Sequence, residues 1–202
     1  MNQQVIIAIG REFGSGGHVI AEELSKRFHL PLYDQNLLEQ VAEEKGVDHA
    51  TLEKYDEKPI LKFFTKTVKG YSSSLAEHVA NMQFKFLQDK ADAGDSFVIV
   101  GRCAERKLAE NKHLISIFVL GDIPCKIKRV KEVYGLATDE EADRMRMRKD
   151  LERKMYHNNH SRGKWGDSRN YHLSVNSSKL GIEKTIDFLE VYIKERIKEF
   201  EA

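Results

Sequence analysis

Short apolar runs alternate along the chain with segments whose apolar residues recur at helical spacing. Residues 5–9, VIIAI, form a continuous run rich in β-branched side chains, which predicts a strand buried on both faces. The runs at 97–100 and 114–120 predict two further buried strands, and the alternation over 171–175 predicts another. Residues 31–34 predict a short strand or the end of one. The apolar runs therefore indicate a sheet that is covered on both faces.

The segments between these strands have the apolar spacing of helices. Four segments keep their apolar residues three or four positions apart, which predicts amphipathic helices. Their apolar positions are Ile20, Leu24 and Phe28; Leu75, Val79, Met82 and Phe86; Ile127, Val130 and Tyr134; and Ile182, Ile186, Leu189, Ile193 and Ile197. Residues 139–165 are densely charged and helical in composition, whereas residues 45–70 are weakly patterned and predict loops and short helices. Strands that alternate with helices predict an α/β fold.

Charge and composition narrow the classes of function. The 202 residues carry 33 Lys and Arg against 32 Asp and Glu, a net charge of +1, which argues against a protein that coats a nucleic acid polymer. Cys103 and Cys125 are too few for a disulfide framework and too far apart for a zinc site. The apolar runs are too short to cross a bilayer, and no basic-then-apolar leader opens the chain. We therefore expect one cytoplasmic domain over residues 1–202, with no membrane partner.

A glycine-rich stretch lies between the first predicted strand and the first predicted helix. In residues 14–17, GSGG, the missing side chains allow backbone N–H groups to converge on phosphate oxygens, and the start of the helix adds partial positive charge. Ligands of α/β sheets bind at the carboxyl ends of the strands, which is where this stretch falls. The alternative is a glycine-rich turn with no ligand, since short glycine motifs are weak signals.

The loop departs from the usual phosphate-loop pattern, G-x-x-x-x-G-K-[ST]. When Gly16 is placed at the second glycine of that pattern, Arg11 replaces the first glycine, Gly17 replaces the lysine and His18 replaces the hydroxyl residue. Both the phosphate-binding cation and the magnesium-binding hydroxyl are therefore missing. We hypothesise that Arg11 supplies the lost positive charge from the other end of the loop.

Several stretches taken together resemble one family. Residues 9–18, IGREFGSGGH, resemble the opening of the cytidylate kinase-like family, a divergent branch of the P-loop nucleoside monophosphate kinases. Residues 31–34 look like its PFYD segment, and residues 98–104 are similar to its VIVGRCA strand and turn. The D-x-x-R … Y … WGD-x-x-NY-x-L pattern over 150–173 and the NSS … G pattern over 176–181 complete the likeness.

This resemblance implies a three-layer P-loop kinase fold. The expected architecture is a parallel five-stranded sheet with helices on both faces, a helical lobe for the nucleoside monophosphate over about residues 35–95, and a lid over about residues 135–168. It also implies transfer of the ATP γ-phosphoryl group to CMP or dCMP with Mg²⁺. The expected partners are small-molecule nucleotides.

Arginines that follow the strands or share a helix face are the candidates for this chemistry, because a guanidinium group binds phosphate bidentately. Arg102 directly follows a buried strand and is expected to bind the acceptor phosphate. Arg146, Asp150 and Arg153 are four and three residues apart, which places them on one helix face, in an arrangement that resembles the R-x-x-x-D-x-x-R lid of bacterial cytidylate kinases. We assign catalysis to these three residues and Arg11. The alternative is a solvated helix with surface ion pairs.

The remaining candidates surround the loop. The residues expected to bind the nucleotide cofactor are Gly14, Ser15, Gly16, Gly17, His18 and Arg129. Asp34 ends a predicted strand, where we expect it to contact the acceptor nucleoside or the water shell of the metal, or else to cap the following helix. No spacing of Cys, His and carboxylate residues completes a protein metal site.

Two other functions stay open at this point. Because Gly17 replaces the lysine, the chain is alternatively a nucleotide- or phosphate-binding regulatory protein without catalysis. It is also alternatively a kinase of another small metabolite. The oligomeric state is open too, since the stripe from Leu75 to Phe86 could be buried within one chain or shared between two.

Overall fold

The structure is a computed structural model that describes residues 3–34, 37, 39, 41–42, 67–68, 71–72 and 75–200. Its strands, in chain order, are β1 (Ile6–Arg11), β2 (Leu32–Tyr33), β3 (Thr67–Val68), β4 (Tyr71–Ser72), β5 (Phe97–Val100), β6 (Leu114–Leu120) and β7 (Leu173–Asn176). Its helices are α1 (Gly17–Phe28), α2 (Leu75–Asp92), α3 (Ala104–Lys107), α4 (Ile123–Tyr134), α5 (Asp139–His160), α6 (Ser177–Leu180) and α7 (Ile182–Phe200), with a 3₁₀ turn at Ser168–Asn170.

Five of the strands form one parallel sheet in the order β2-β5-β1-β6-β7, as the apolar runs and the family resemblance predict. The central strand pairs on both sides, with Ile6 opposite Phe97 and Leu114. β3 and β4 form a separate two-stranded antiparallel ladder. That ladder begins within the weakly patterned region, for which the sequence predicts loops and short helices, and two-residue strands are too short to leave a periodic signal.

Alternate residues of β1 point into two different cores. Ile6 and Ala8 pack with apolar residues of α2, whereas Ile7 and Ile9 pack with apolar residues of α1 and α7. A strand that is buried on both faces needs apolar residues at every position, which explains the unbroken run at the start of the chain. The sheet is therefore the middle layer of three.

From Val79 onward, the apolar stripe of α2 is buried within the chain. Val79, Phe86 and Leu87 lie in the core, and Met82 packs against them. This face is therefore not shared with a second copy. Most of the proposed lobe at 35–95 lies outside the described residues, so its limits and those of the lid stay predictions. None of the helices in the described part of the chain combines the length and the apolarity that a bilayer span requires.

All carboxyl ends of the parallel strands meet at one edge of the sheet. β1 leads there into the glycine-rich loop and β5 leads into the turn that carries Arg102. The chain order reverses on either side of β1, which lies between β5 and β6, and such a reversal opens a crevice at the carboxyl edge. The predicted loop and the predicted arginine thus lie on neighbouring strands.

Candidate active site at the carboxyl edge of the sheet

Two positions of the glycine-rich loop favour glycine. Gly14 and Gly16 have φ angles of 81° and 80°, in the left-handed region that glycine adopts without strain. A Cβ on Gly14 would lie 2.8 Å from the carbonyl oxygen of Lys126, and a Cβ on Gly16 would overlap Cδ1 of Ile182. The backbone of the loop therefore lies close to α4 and to the start of α7, with little space for side chains at these two positions.

Three amide groups of this loop and of the first turn of α1 are candidates for binding an anion. Within the residues that the structure describes, the N–H groups of Gly14, Gly16 and His18 donate no hydrogen bond. They lie at the positive end of the dipole of α1, where phosphate groups bind. Ser15 is buried, and its hydroxyl donates to the carbonyl oxygen of Glu12 at 2.8 Å, which stabilises the turn.

The loop is tied to α5 by Asp150. Asp150 Oδ1 accepts a hydrogen bond from the amide of Phe13 at 2.6 Å. Burial raises the pKa of the Asp150 carboxyl, although the Phe13 amide opposes this shift. Arg146 Nη1 lies 3.6 Å from Asp150 Oδ2, and Arg146 also donates to Asp143 Oδ1 at 2.8 and 2.6 Å. The face of α5 that the sequence predicts to be functional therefore lies against the loop.

A second connection to the loop comes from Lys126, which the sequence analysis missed. Lys126 is only 4% exposed, and its ammonium group donates to Glu12 Oε2 at 2.7 Å. The amide of Gly121 donates to the same oxygen at 3.1 Å. Lys126 lies four residues before the buried Val130, so helical spacing places the two residues on the same face of α4 and could have predicted the burial of Lys126. Arg129, one turn further on, donates from Nη1 to the carbonyl oxygen of Gly14 at 2.9 Å.

Three of the predicted arginines line one cleft beside the loop. We call this cleft, lined by Arg11, Arg102 and Arg153, the arginine cleft. Arg153 Nη1 donates to the carbonyl oxygen of Arg11 at 3.4 Å, and its guanidinium group lies 5.2 Å from the ring centre of Phe13. Arg102 is 3% exposed, and its Nη2 donates to the carbonyl oxygen of Asp34 at 3.4 Å. Arginines from three separate segments thus line one cleft.

The rest of the arginine cleft is aromatic and polar. Its other lining residues are Gly10, Gly101, Cys103, Glu105, Tyr156, His157, Trp165 and Tyr171. Trp165 packs edge-on against Phe118, with 5.5 Å between ring centres, and burial raises the pKa of Tyr171, which keeps its hydroxyl a hydrogen-bond donor. The cavity volume is about 20 Å³, which is room for one water molecule. A nucleotide therefore requires the surrounding segments to open.

Arg146 does not line the arginine cleft. Its side chain is 12% exposed, and its guanidinium group donates to Asp143, one turn earlier on α5. The spacing of Arg146, Asp150 and Arg153 thus brings Arg153 to the cleft and Asp150 to the loop, while Arg146 pairs with neighbouring carboxylates.

His18 and Asp34 meet beside the loop. His18 Nε2 lies 3.6 Å from Asp34 Oδ2 and 3.7 Å from Glu22 Oε1. The imidazole is half-exposed, whereas the Asp34 carboxylate is 19% exposed. A nucleotide held on the loop would therefore find an imidazole and a carboxylate at the start of α1.

Comparisons with known proteins agree with this fold. The sequence model of the cytidylate kinase-like family matches residues 6–179. An uncharacterised protein from Eubacterium ventriosum is 38% identical, with a TM-score of 0.75 over 95% of this chain and 99% of that one. Shikimate kinase from Bacteroides thetaiotaomicron is 12% identical, with a TM-score of 0.54 over 94% of this chain and 98% of that one. TT1252 from Thermus thermophilus is 16% identical, with a TM-score of 0.53 over 96% and 98%. None of the curated proteins matches the chain.

The two distant structures bear on the fold alone, which is the P-loop kinase fold that the resemblance implied. The family match and the Eubacterium relative each span most of the chain. The family match supports phosphoryl transfer as the general class of chemistry.

Proposed function

Because the chain belongs to the cytidylate kinase-like family, we propose that it transfers the γ-phosphoryl group of ATP to a nucleoside monophosphate, with CMP and dCMP as the preferred acceptors. The observation that carries this proposal is the convergence of Arg11, Arg102 and Arg153 on one cleft beside the loop. Phosphoryl transfer needs two phosphate groups held in line and the developing negative charge neutralised. Guanidinium groups suit both tasks.

The donor side of the proposed site is the loop. The N–H groups of Gly14, Gly16 and His18 would hold the phosphates of ATP, as backbone amides at a helix start do. Gly17 occupies the position of the usual lysine. The side chain of Arg11 starts beside that position, because a Cβ on Gly17 would lie 2.5 Å from the Cβ of Arg11. We assign the charge of the missing ammonium group to the Arg11 guanidinium.

The acceptor side is the arginine cleft. Arg102, at the end of β5, would hold the acceptor phosphate, and Arg153, on α5, would span both phosphate groups from the lid. An acceptor monophosphate is largely a dianion at neutral pH, since its second pKa is about 6. Transfer to such an oxygen needs no general base, so Asp150 is assigned to orientation. Its hydrogen bond to the Phe13 amide places it where the loop and the lid meet.

The magnesium ion that this reaction implies would depend on the nucleotide for most of its ligands. Among the described residues, no group of three or more His, Cys, Asp and Glu side chains is placed to hold a metal ion. Mg²⁺ commonly takes one or two carboxylates together with substrate phosphates and water. Asp34, beside the loop, is the carboxylate that fits this pattern. When bound, the ion would neutralise charge on the β- and γ-phosphates.

The proposal is tested by a coupled assay with ATP, Mg²⁺ and a panel of nucleoside monophosphates and small alcohols. We expect turnover with CMP or dCMP above that with AMP, GMP and the alcohols. Arg102→Lys and Arg153→Lys should each lower kcat/KM by about 10²-fold, because an ammonium group cannot replace a bidentate fork. Arg148→Lys, an exposed position on the same helix, is the matched control and should leave the rate unchanged. Preferred turnover of an alcohol would instead indicate a kinase of another metabolite.

Two observations favour the non-catalytic alternative, a nucleotide- or phosphate-binding regulatory protein. Gly17 replaces the usual lysine, and Asp150 already accepts the Phe13 amide that a phosphate could use. Calorimetric binding of ATP by a protein that turns over none of the acceptors would support this alternative.

A further inference from the structure

A buried carboxylate–imidazole pair forms part of the wall of the arginine cleft. Glu105 and His157 are each 5% exposed, and 2.7 Å separates Glu105 Oε1 from His157 Nε2. Both residues line the arginine cleft. Their hydrogen bond joins α3, at the edge of the sheet, to α5, the helix of the proposed lid.

Each member of the pair follows one of the cleft arginines closely in sequence. His157 lies four residues after Arg153, so the two side chains share one face of α5. Glu105 lies three residues after Arg102, and the intervening turn has φ angles of 58° at Arg102 and 53° at Cys103. Left-handed conformations at non-glycine residues are costly and persist only where the surroundings enforce them. A bond between Glu105 and His157 therefore acts on the segments that carry Arg102 and Arg153.

The imidazole of His157 is held on its other side as well. Its Nδ1 lies 3.3 Å from Asn158 Oδ1, and that oxygen accepts a hydrogen bond from the amide of Trp165 at 3.0 Å. The Trp165 N–H fixes which end of the Asn158 amide faces it. The chain of contacts thus runs from α3 through His157 to the segment that follows α5, and it fixes the ring in one orientation.

Stability alone is a weak reason for such a pair. Apolar side chains of similar volume fill a buried space as well as a buried ionisable pair does, or better, because they lose no hydration. Phosphoryl transfer, by contrast, is sensitive to geometry, and a misplacement of about 1 Å can cost about 10²-fold in rate. Side chains that lock others in place are the usual support of a preorganised site.

We propose that Glu105 and His157 are positioning residues for phosphoryl transfer, and that their hydrogen bond sets the separation between Arg102 and Arg153. This inference rests on the proposed function. Neither residue is assigned a contact with the transferred phosphoryl group; both act through the two arginines.

The test compares Glu105→Ala, His157→Leu, the double variant and His157→Gln in the coupled assay. Each of the first two should lower kcat by about 10²-fold and leave the KM for ATP unchanged. The kcat of the double variant should be no lower than that of the less active single variant, because all three variants lose the same hydrogen bond. His157→Gln should keep most of the activity, since the glutamine amide retains a donor where Nε2 lies. His172→Gln removes a histidine that accepts from the Ser116 amide away from the arginine cleft, and it should leave kcat unchanged.

Several results would overturn the proposal. Losses that multiply in the double variant would mean that the two residues act independently. An unchanged kcat with a lower melting temperature in His157→Leu would assign the pair to folding alone. If kcat falls equally in His157→Gln and His157→Leu, the hydrogen-bond donor at Nε2 is not what maintains the activity. If the unaltered protein turns over no acceptor, the proposed function fails separately. Calorimetry with CMP then judges whether the bond sets the separation between Arg102 and Arg153. Equal weakening of CMP binding in both single variants and in the double variant supports this role. Unchanged CMP affinity in the variants, or no CMP binding by the unaltered protein, overturns it.

Discussion

Asp150 Oδ1 accepts the backbone N–H of Phe13 at 2.6 Å, across 137 residues of sequence. This hydrogen bond joins the middle of α5 to the loop that begins at the end of β1. Arg153, one turn further along α5, donates to the carbonyl oxygen of Arg11 at 3.4 Å. Helix α5 therefore contacts the donor and acceptor sides of the proposed site together, so movement of α5 changes both.

Substitutions of Asp150 separate its hydrogen bond from its charge. Asp150→Asn keeps an acceptor for the Phe13 amide, so it should not lower the free energy of unfolding. Asp150→Ala leaves that amide unpaired and should cost about 1–3 kcal/mol. Because burial raises the pKa of this carboxyl, the folded state holds its proton more tightly than the unfolded state does, and the free energy of unfolding falls as the pH rises above the ordinary aspartate range. Asp150→Asn should remove this slope.

Urea unfolding of the two Asp150 variants at several pH values checks this prediction. Equal destabilisation by Asn and Ala at neutral pH would show that the hydrogen bond to Phe13 contributes nothing. Both variants should also lower kcat, since neither keeps the carboxylate that the proposed function assigns to orientation beside the loop.

The two glycines Gly14 and Gly94 form a matched pair for testing the shape of the loop. Both have φ near +80°, but a Cβ on Gly94 would meet nothing within 4 Å, whereas one on Gly14 would lie 2.8 Å from the carbonyl oxygen of Lys126. Gly94→Ala should therefore cost only the strain of a left-handed residue, about 1–2 kcal/mol. Gly14→Ala should cost more and should abolish ATP binding. Equal unfolding free energies and equal ATP affinities for the two variants, by urea titration and calorimetry, would contradict this view of the loop.

An exchange of two residues tests whether Arg11 replaces the missing lysine. Gly17→Lys alone should destabilise the protein by about 1–3 kcal/mol, because its Cβ would lie 2.5 Å from the Cβ of Arg11. Arg11→Gly alone should weaken ATP binding, since it removes the proposed compensating charge. The double variant restores the first glycine and the lysine of the usual loop pattern, with His18 still in place of the hydroxyl residue, and should recover ATP affinity towards that of the unaltered protein. Unchanged activity in Arg11→Ala would show that the charge of Arg11 is not used.

His160 predicts how stability depends on pH. Burial lowers its pKa to about 4, and Nε2 has no hydrogen-bond partner among the described residues. Because the pKa of an unfolded histidine is about 6.5, the unfolded chain binds a proton that the folded chain excludes between those two values. The free energy of unfolding should thus fall as the pH drops from about 6.5 to about 4, and this group adds no slope above that window.

His160→Phe is the matched variant, since a phenyl ring can still pack on Phe84 and Tyr156. Urea unfolding across this pH range should give a shallower acid slope for His160→Phe than for the unaltered protein. Parallel slopes would show that other groups carry the acid sensitivity.

The layers of the fold could be predicted from the sequence because the signal is local. The unbroken run of β1 indicates burial on both faces, and the spacing in α1, α2 and α7 indicates which faces meet the sheet. Placing Arg102 after a buried strand needed only the rule that parallel strands end at one edge. The strands β3 and β4 were not predicted, because two residues are too few to show the alternation of a strand.

The site was less predictable because its contacts join distant segments. The Lys126–Glu12 pair spans 114 residues and the Glu105–His157 pair spans 52, so no local pattern relates the partners. Helical spacing correctly placed Arg146 on the face of α5 that meets the loop, but it could not show that Asp143 takes up its guanidinium group. Residue spacing limits which side chains can meet, and the packing of helices on the sheet decides which of them do.

Phosphorus NMR of one mixture of the unaltered protein, Mg²⁺, ATP and CMP shows whether this loop and these arginines transfer a phosphoryl group from ATP to CMP. We expect the γ-phosphate signal of ATP to decline while the signals of ADP and CDP grow together in equal amounts. Unchanged spectra with folded protein, or growth of ADP and inorganic phosphate without CDP, would exclude this transfer.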